Sequence, residues 1–173
     1  MFGIKKSSGI LARLPTNTKG KLYVSPMPYG PYDPHNRLLK LYRKHRIQTA
    51  VMLVTDHELA HKAKRELLKI YKKVDIEVVR HPMMDFTCPS YETILMLTER
   101  IERGLQHENV AIHCNAGVGR TAVVAGCLLR RLRDYSSEEA MSIIREHMQI
   151  RITSEQARFV EKFPAQQSTS WRA

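Results

Sequence analysis

Short apolar stretches alternate with amphipathic stretches along most of this chain. The short stretches are rich in β-branched residues, which is typical of buried strands; they cover 49–54, 76–79 and 110–113. The amphipathic stretches repeat apolar residues at helical spacing; they cover 34–45, 58–71, 90–105, 136–144 and 153–163. A longer apolar stretch over 122–129, with basic residues following to 133, predicts a buried helix. Strands that alternate with helices predict an α/β fold, with a central, mainly parallel sheet of about four or five strands flanked by helices.

Several predicted elements carry signals for where they begin. Asp33 fits the N-cap of the first helix, with a proline after it. Ser136 with Glu139, and Thr153 with Gln156, have the spacing of capping boxes.

One folded domain accounts for the length and composition, because 173 residues with 43% hydrophobic and 26% charged residues can form a sizeable core. We predict an N-terminal extension over 1–20 and a domain over 21–163. Stretches 10–14 and 21–25 flank a polar turn and predict a leading β-hairpin. Residues 164–173 are predicted to be a flexible tail. No apolar run approaches membrane-spanning length.

The net charge of +11 favours acidic partners, such as phosphorylated protein, phosphoinositide or nucleic acid. A basic but unspecialised surface has the same composition. The three cysteines show no paired spacing, so neither a disulfide framework nor a zinc ribbon is indicated. We expect no metal and no cofactor.

The candidate chemistry lies in residues 113–121, His-Cys-Asn-Ala-Gly-Val-Gly-Arg-Thr, between a predicted strand and a predicted helix. The two glycines let backbone N–H groups converge on one point, and the following helix directs its positive end there. Arg120 adds a planar donor matched to phosphate. This surrounding would stabilise the thiolate of Cys114 and make it nucleophilic. A phosphate-binding loop with a thiolate at its floor predicts phosphoryl transfer through a cysteinyl-phosphate.

These residues resemble the signature of the cysteine-dependent protein tyrosine and dual-specificity phosphatases: His-Cys, five residues, Arg, then Ser or Thr. His113, Cys114, Arg120 and Thr121 fill the pattern. The resemblance spans about 20–163, so the predicted domain over 21–163 would be the catalytic domain. The residues that would bind the substrate phosphate are Asn115, Ala116, Gly117, Val118, Gly119 and Arg120. Two alternatives are a buried cysteine before a glycine-rich turn and a loop that binds phosphate without catalysis.

Phosphate transfer also needs a proton donor for the leaving oxygen, and Asp85 is the candidate. It follows the strand at 76–79, so it should emerge at the same sheet edge as Cys114. The family commonly keeps its general acid in a Pro-x-x-Asp-x-x-x-Pro setting, which Pro82, Asp85 and Pro89 resemble. The spacing is similar to that of cyclin-dependent kinase-associated phosphatases, which are of the dual-specificity type. Asp56 and Glu58 follow another strand and are alternative acids, although Glu58 also suits a helix start.

The resemblance implies further roles. Thr121 would donate a hydrogen bond to the departing thiolate, and His113 would fix the loop and tune the thiol. Gln156 matches the second glutamine of the water-positioning motif of tyrosine-specific members, but the first glutamine is missing. Cys88, near Asp85, could trap an oxidised Cys114 as a disulfide.

The function predicted from the sequence is hydrolysis of phosphomonoesters on proteins, with phosphotyrosine preferred and acidic flanks favoured. The loop contains one cation, whereas members that act on polyphosphorylated lipids typically add lysines there. Inositol phosphates, phosphoinositides and RNA 5′-triphosphate remain alternative substrates, and a phosphoprotein-binding module without activity is a third hypothesis. We expect the protein to be cytoplasmic, since a reducing compartment suits a thiolate enzyme. We also expect a monomer.

Overall fold

The computed structural model of the protein describes residues 9–165. Within them it contains five strands: β1 (Ala12–Leu14), β2 (Leu22–Ser25), β3 (Ile47–Met52), β4 (Glu77–Arg80) and β5 (Asn109–His113). The same residues form seven helices: α1 (Leu38–Lys44), α2 (Asp56–Lys62), α3 (Leu67–Lys73), α4 (Tyr91–Gly104), α5 (Arg120–Arg133), α6 (Ser137–His147) and α7 (Ser154–Lys162).

The strands form one sheet in the order β1-β2-β5-β3-β4. Only the β1–β2 pair is antiparallel, so the predicted hairpin and the predicted mainly parallel α/β sheet are both confirmed. The central strand β5 ends at His113, which is in register with Ser25 of β2 and Met52 of β3. The connections after β2, β3 and β5 therefore begin side by side at one sheet edge, which we call the site edge.

Each face of the sheet carries its own apolar core. One core joins α4, α5, α6 and α7 to side chains such as Val51 and Ile112. The other joins α1 and α3 to side chains such as Ala50 and Ala111. Neighbouring residues of one strand thus point into different cores, as the alternation of side chains along a strand requires. Burial of both faces explains why the central strands read as continuous apolar stretches.

The first helix begins later than predicted. Asp33 is not its N-cap: α1 starts at Leu38, after Asn36 takes a left-handed conformation with φ +51°. The buried Asp33 carboxylate instead accepts hydrogen bonds from the backbone N–H groups of Tyr29 (3.0 Å) and Arg37 (2.8 Å). Asp33 therefore holds the turn that leads into α1.

The single helix predicted over 58–71 is wrong, because the chain forms α2 and α3 with a break between them. Ala63 is extended (φ −78°, ψ 126°), and the backbone N–H of Lys64 donates to the carbonyl of Tyr29 (2.9 Å). A contact distant in sequence thus takes the N–H that a continuous helix would use internally.

The predicted capping boxes at Ser136 and Thr153 are confirmed. Ser90 is the N-cap of α4, the helix predicted over 90–105. Most of the predicted tail and the first eight residues of the predicted extension lie outside the described residues, so those boundaries stay predictions. No helix within residues 9–165 combines the length and apolar character needed to cross a membrane.

Candidate active site

The signature loop connects β5 to α5 at the site edge. Cys114 follows the last residue of β5 and is 2% exposed, and the backbone N–H of Gly117 donates to its sulfur (3.2 Å). Gly119 is the N-cap of α5 and makes no side-chain capping bond. The positive end of a fourteen-residue helix therefore faces the loop without a side-chain acceptor in the way.

Gly117 is required by both conformation and space. Its φ of +78° lies in the left-handed region, and a Cβ added there would lie 2.6 Å from the backbone nitrogen of Pro26. The backbone N–H of Met27 also donates to the carbonyl of Asn115 (3.1 Å). The connection after β2 thus packs tightly against the signature loop and fixes its path.

Arg120 is the largest fully buried side chain in the described part of the protein. Its two terminal nitrogens, Nη1 and Nη2, each donate to one carboxylate oxygen of Glu58, both at 2.7 Å. Nη1 also donates to the carbonyl of Met83 (2.9 Å). Arg120 therefore joins α5 to α2 and to the connection that follows β4.

The other edge of the guanidinium, formed by Nε and Nη2, is directed to the candidate acid. Oδ1 of Asp85 lies 3.4 Å from Nε of Arg120, and Nε has no aligned hydrogen-bond acceptor among the described residues. The Asp85 side chain is 44% exposed. The structure thus brings Asp85, Arg120 and the Cys114 loop together, and it leaves a two-donor edge of Arg120 that matches phosphate oxygens.

The pair of Glu58 and Arg120 perturbs both groups. Burial raises the pKa of Glu58, but the hydrogen bonds and charge of Arg120, with the backbone N–H of Thr55, outweigh it and lower that pKa to about 2. The pKa of Arg120 is raised because Glu58 and the charge of Cys114 outweigh the opposing effect of burial. Glu58 is therefore a carboxylate that neutralises Arg120. Its own proton-donor role, weighed above as an alternative, does not fit this pairing.

His113 lies behind the nucleophile and bonds to Tyr71 of α3. Nε2 of His113 and the hydroxyl of Tyr71 are 3.0 Å apart. Burial, reinforced by the charge of Arg120, lowers the pKa of His113 to about 3, so the ring is neutral. Burial also raises the pKa of Tyr71, which keeps its hydroxyl protonated. The other ring nitrogen of His113, Nδ1, is buried and has no hydrogen-bond partner among the described residues.

Thr121 and Gln156 do not make the contacts that their predicted roles require. The Thr121 hydroxyl is buried and has no hydrogen-bond partner within residues 9–165, so the bond to the thiolate sulfur is not formed in this structure. Gln156 uses both ends of its amide, accepting from Thr153 N–H (3.0 Å) and donating to the carbonyl of Thr87 (3.1 Å). The water-positioning role of Gln156 stays a prediction.

Cys88 is a half-buried free thiol, and burial raises its pKa with help from Glu155. Its redox role stays a prediction. Within residues 9–165, no group of three or more potential ligands could hold a metal ion.

The sequence does not predict the roles that Glu58 and Tyr71 have in the site. The sequence pattern presents Glu58 as an alternative acid or a helix start, and Tyr71 only as the last residue of the helix predicted over 58–71. Their partners are 62 and 42 residues away in the chain. The one local signal was that Glu58 follows the strand next to β5, where a charged side chain can reach the site edge.

The sequence of this chain resembles those of known proteins. A family model described as "Polymorphic toxin system, DSP-PTPase phosphatase" matches residues 29–133. Human cyclin-dependent kinase inhibitor 3 is 31% identical over 102 residues, which cover 58% of this chain and 48% of that protein. The pig protein of the same name is 32% identical over the same shares. The chain thus matches about half the length of these curated relatives.

Solved structures show the same fold. Kinase-associated phosphatase, with its catalytic-site cysteine replaced by serine, aligns with a TM-score of 0.78 at 24% identity, covering 88% of this chain and 92% of that one. Tk-PTP in its active form aligns with a TM-score of 0.70 at 27% identity, covering 88% and 95%. The chain belongs to the family of dual-specificity protein tyrosine phosphatases (DSP-PTPases), as its signature loop predicted.

Gly117→Ala should distort the signature loop, because the new Cβ meets backbone atoms of Ser25 and Pro26 and the left-handed conformation is strained. We expect a loss of about 1–3 kcal/mol in the free energy of unfolding, measured by urea denaturation, and weaker inhibition by inorganic phosphate. Gly104→Ala is the matched control, since its nearest contact would be 3.6 Å away. Equal behaviour of the two variants would contradict the assigned role of Gly117.

Glu58→Gln should leave the buried Arg120 without its carboxylate and lower the free energy of unfolding by about 3 kcal/mol near neutral pH. The pKa of Glu58 falls from 4.5 to about 2 on folding, so its contribution is complete above pH 4.5 and is lost as the pH falls towards 2. The stability difference between wild type and Glu58→Gln should therefore shrink over that window. Thermal unfolding as a function of pH measures it, with the exposed Glu146→Gln as control. A difference that stays constant with pH would refute the ion-pair assignment.

Proposed function

We propose that this protein hydrolyses phosphomonoesters on other proteins, phosphotyrosine above all, through a cysteinyl-phosphate intermediate. The observation that carries the proposal is that three groups lie together at the site edge, where the charges of Cys114 and Asp85 both act on Arg120. These groups are the sulfur of Cys114 with its N–H donor from Gly117, the free edge of Arg120, and the carboxyl of Asp85.

In the first step, the thiolate of Cys114 attacks phosphorus while the bond to the ester oxygen breaks. The Nε and Nη2 donors of Arg120 and the backbone N–H groups of residues 115–120 bind the non-bridging oxygens and stabilise the charge that develops on them. Glu58 holds the opposite edge of Arg120, so the guanidinium need not reorient when substrate binds.

Asp85 donates its proton to the leaving oxygen in the same step. Its position supports this role, because it is exposed at the mouth of the site and lies 3.4 Å from Arg120 Nε. In the second step the Asp85 carboxylate takes a proton from water, the water oxygen bonds to phosphorus, and the thiolate of Cys114 leaves. His113 and Tyr71 act through the backbone of Cys114 as positioning residues.

The signature loop supports a substrate with a single phosphoryl group. Asn115, Ala116 and Val118 occupy its variable positions, so Arg120 is the one cation in the loop. One guanidinium edge and a set of N–H groups suffice for one phosphoryl dianion. A protein substrate is also consistent with the name of a relative by sequence, human cyclin-dependent kinase inhibitor 3, which refers to a protein target.

A polyanion such as an inositol phosphate or RNA 5′-triphosphate is the second candidate substrate. The net charge of +11 favours it. PTPMT1 was solved in complex with PI(5)P, but at 19% identity and a TM-score of 0.70 this likeness concerns the fold alone. The signature loop contains Arg120 but no lysine, so we rank a polyanion below a phosphorylated side chain as the substrate.

Cys114→Ser should abolish turnover and keep phosphate binding, since the serine hydroxyl is a much weaker nucleophile than a thiolate. Asp85→Asn should lower kcat/KM, which reports the first step alone, by roughly 10²- to 10⁴-fold for alkyl or unactivated aryl phosphates, and far less for a nitrophenyl phosphate whose leaving group needs no proton. Steady-state kinetics over a series of aryl phosphates measures the leaving-group dependence. A uniform loss across the series would exclude Asp85 as the acid.

Phosphotyrosine peptides should be hydrolysed better than phosphoserine peptides of the same sequence. For acidic peptides, kcat/KM should fall as salt rises while kcat changes little, because screening weakens encounter and leaves the bound chemistry intact. A panel of phosphopeptides, inositol phosphates and RNA 5′-triphosphate measures this preference. Strong turnover of the polyanions without activity on any phosphopeptide would reverse the order of the two candidates.

A further inference from the structure

The positive charge of the protein is concentrated in one segment. Residues 35–74 contain eleven lysines and arginines and three carboxylates, whereas residues 90–165 contain ten of each. Eleven minus three leaves +8 of the net +11 in the first segment, and the second is neutral. The two segments supply helices on opposite faces of the sheet, so the asymmetry in sequence is also an asymmetry in space.

Two neighbouring helices present the centre of this charge. The inward rings of Tyr42 in α1 and Tyr71 in α3 stack with centroids 6.4 Å apart, so the two helices lie side by side. Most of the exposed positions of both helices are basic. We call this surface the α1–α3 face; its six cations are Lys40, Arg43, Lys44, Lys69, Lys72 and Lys73.

The α1–α3 face has almost no compensating charge. Neither helix contains a carboxylate, and within residues 9–165 Lys69 is the one member of the six with an ion pair, to Glu66. On the opposite face of the sheet, positive and negative side chains are mixed; for example, Arg131 pairs with both Glu99 and Glu102. Cations in the last turn of each helix do complement its dipole. The dipole does not account for Lys40, which lies near the start of α1, or for the absence of carboxylates within the two helices.

The basic surface reaches the site edge. α1 leads from the connection after β2 to the start of β3, and α3 leads from the connection after β3 towards the start of β4. Both helices therefore begin near the site edge and run away from it. At that beginning, the guanidinium of Arg65 lies over the ring of Tyr29, 5.2 Å from its centroid. A partner bound along the two helices could thus present a phosphorylated residue to the site.

We propose that the α1–α3 face docks an acidic segment of the phosphoprotein substrate, at a distance from the phosphorylated residue. This inference rests on the proposed function and names the surface that selects the substrate. Five of the six cations are lysines, which are compact point charges that suit flexible carboxylates better than they suit planar, bidentate recognition.

Other anionic partners fit this face less well. Membrane surfaces are bound by helices that add apolar side chains to basic ones, and within residues 9–165 Leu68 is the one exposed large apolar residue of α1 and α3. Single-stranded nucleic acid is bound with exposed aromatic rings, and the tyrosines of both helices are buried.

The test compares two quadruple variants of the full chain with the same change in charge. One neutralises the face, with Lys40→Gln, Lys44→Gln, Lys69→Gln and Lys72→Gln. The control neutralises four exposed cations of α4, α6 and α7, with Arg103→Gln, Arg145→Gln, Arg158→Gln and Lys162→Gln. Each variant is assayed with nitrophenyl phosphate and with phosphotyrosine peptides. In these peptides a flexible spacer separates the phosphotyrosine from a glutamate-rich segment, which lies on its N-terminal or its C-terminal side.

The face variant should raise KM for the acidic peptide roughly tenfold, leave kcat unchanged and leave nitrophenyl phosphate kinetics at the wild-type level. The control variant should change KM less than about twofold. Equal losses in both variants, or no loss in the face variant, would overturn the proposal.

Binding of the unphosphorylated glutamate-rich peptide, followed by fluorescence anisotropy, tests docking without catalysis. Wild type should bind it and the face variant should not, even if the proposed hydrolysis fails. If the face variant instead loses binding to phosphatidylserine vesicles or to an oligonucleotide more than to the peptide, the assignment to an acidic protein segment is wrong.

Discussion

The candidate site depends on a cation that is almost completely buried. Arg120 is 1% exposed, and an unpaired guanidinium there would cost several kcal/mol. Glu58 supplies the counter-charge, and the carbonyl of Met83 supplies another acceptor. One side chain thereby joins the connections after β3, β4 and β5. The edge of Arg120 that Glu58 does not bind faces Asp85. The ion pair that neutralises Arg120 therefore also orients its remaining N–H donors towards the substrate.

The same edge of the sheet explains why the nucleophile is held so firmly. β5 lies between two parallel neighbours, and the chain after β2 packs against Gly117 closely enough to exclude a Cβ. Behind the loop, the neutral ring of His113 bonds to the protonated hydroxyl of Tyr71. Both supports come from elements on the α1–α3 side of the sheet. The catalytic edge and the basic face are therefore parts of one packed unit.

Local features were predictable from the sequence, and long-range ones were not. The capping boxes at Ser136 and Thr153 and the strand before Cys114 depend on neighbours in the chain, and the structure confirms them. The break at Ala63 depends on the distant carbonyl of Tyr29, and the role of Glu58 depends on Arg120. The charge asymmetry is present in the sequence, but its place on a single face follows only from the sheet topology.

The central claim is that Cys114 carries the phosphoryl group between the two steps. Rapid acid quenching of the enzyme during turnover of a phosphotyrosine peptide, followed by mass spectrometry of its proteolytic fragments, tests this directly. We expect one added phosphoryl group on the fragment that contains Cys114. An Asp85→Asn enzyme given an activated aryl phosphate should accumulate more of this phosphoryl group, because loss of the base slows its hydrolysis. Turnover without any phosphoryl group on this fragment, or with the group on another residue, would contradict the account.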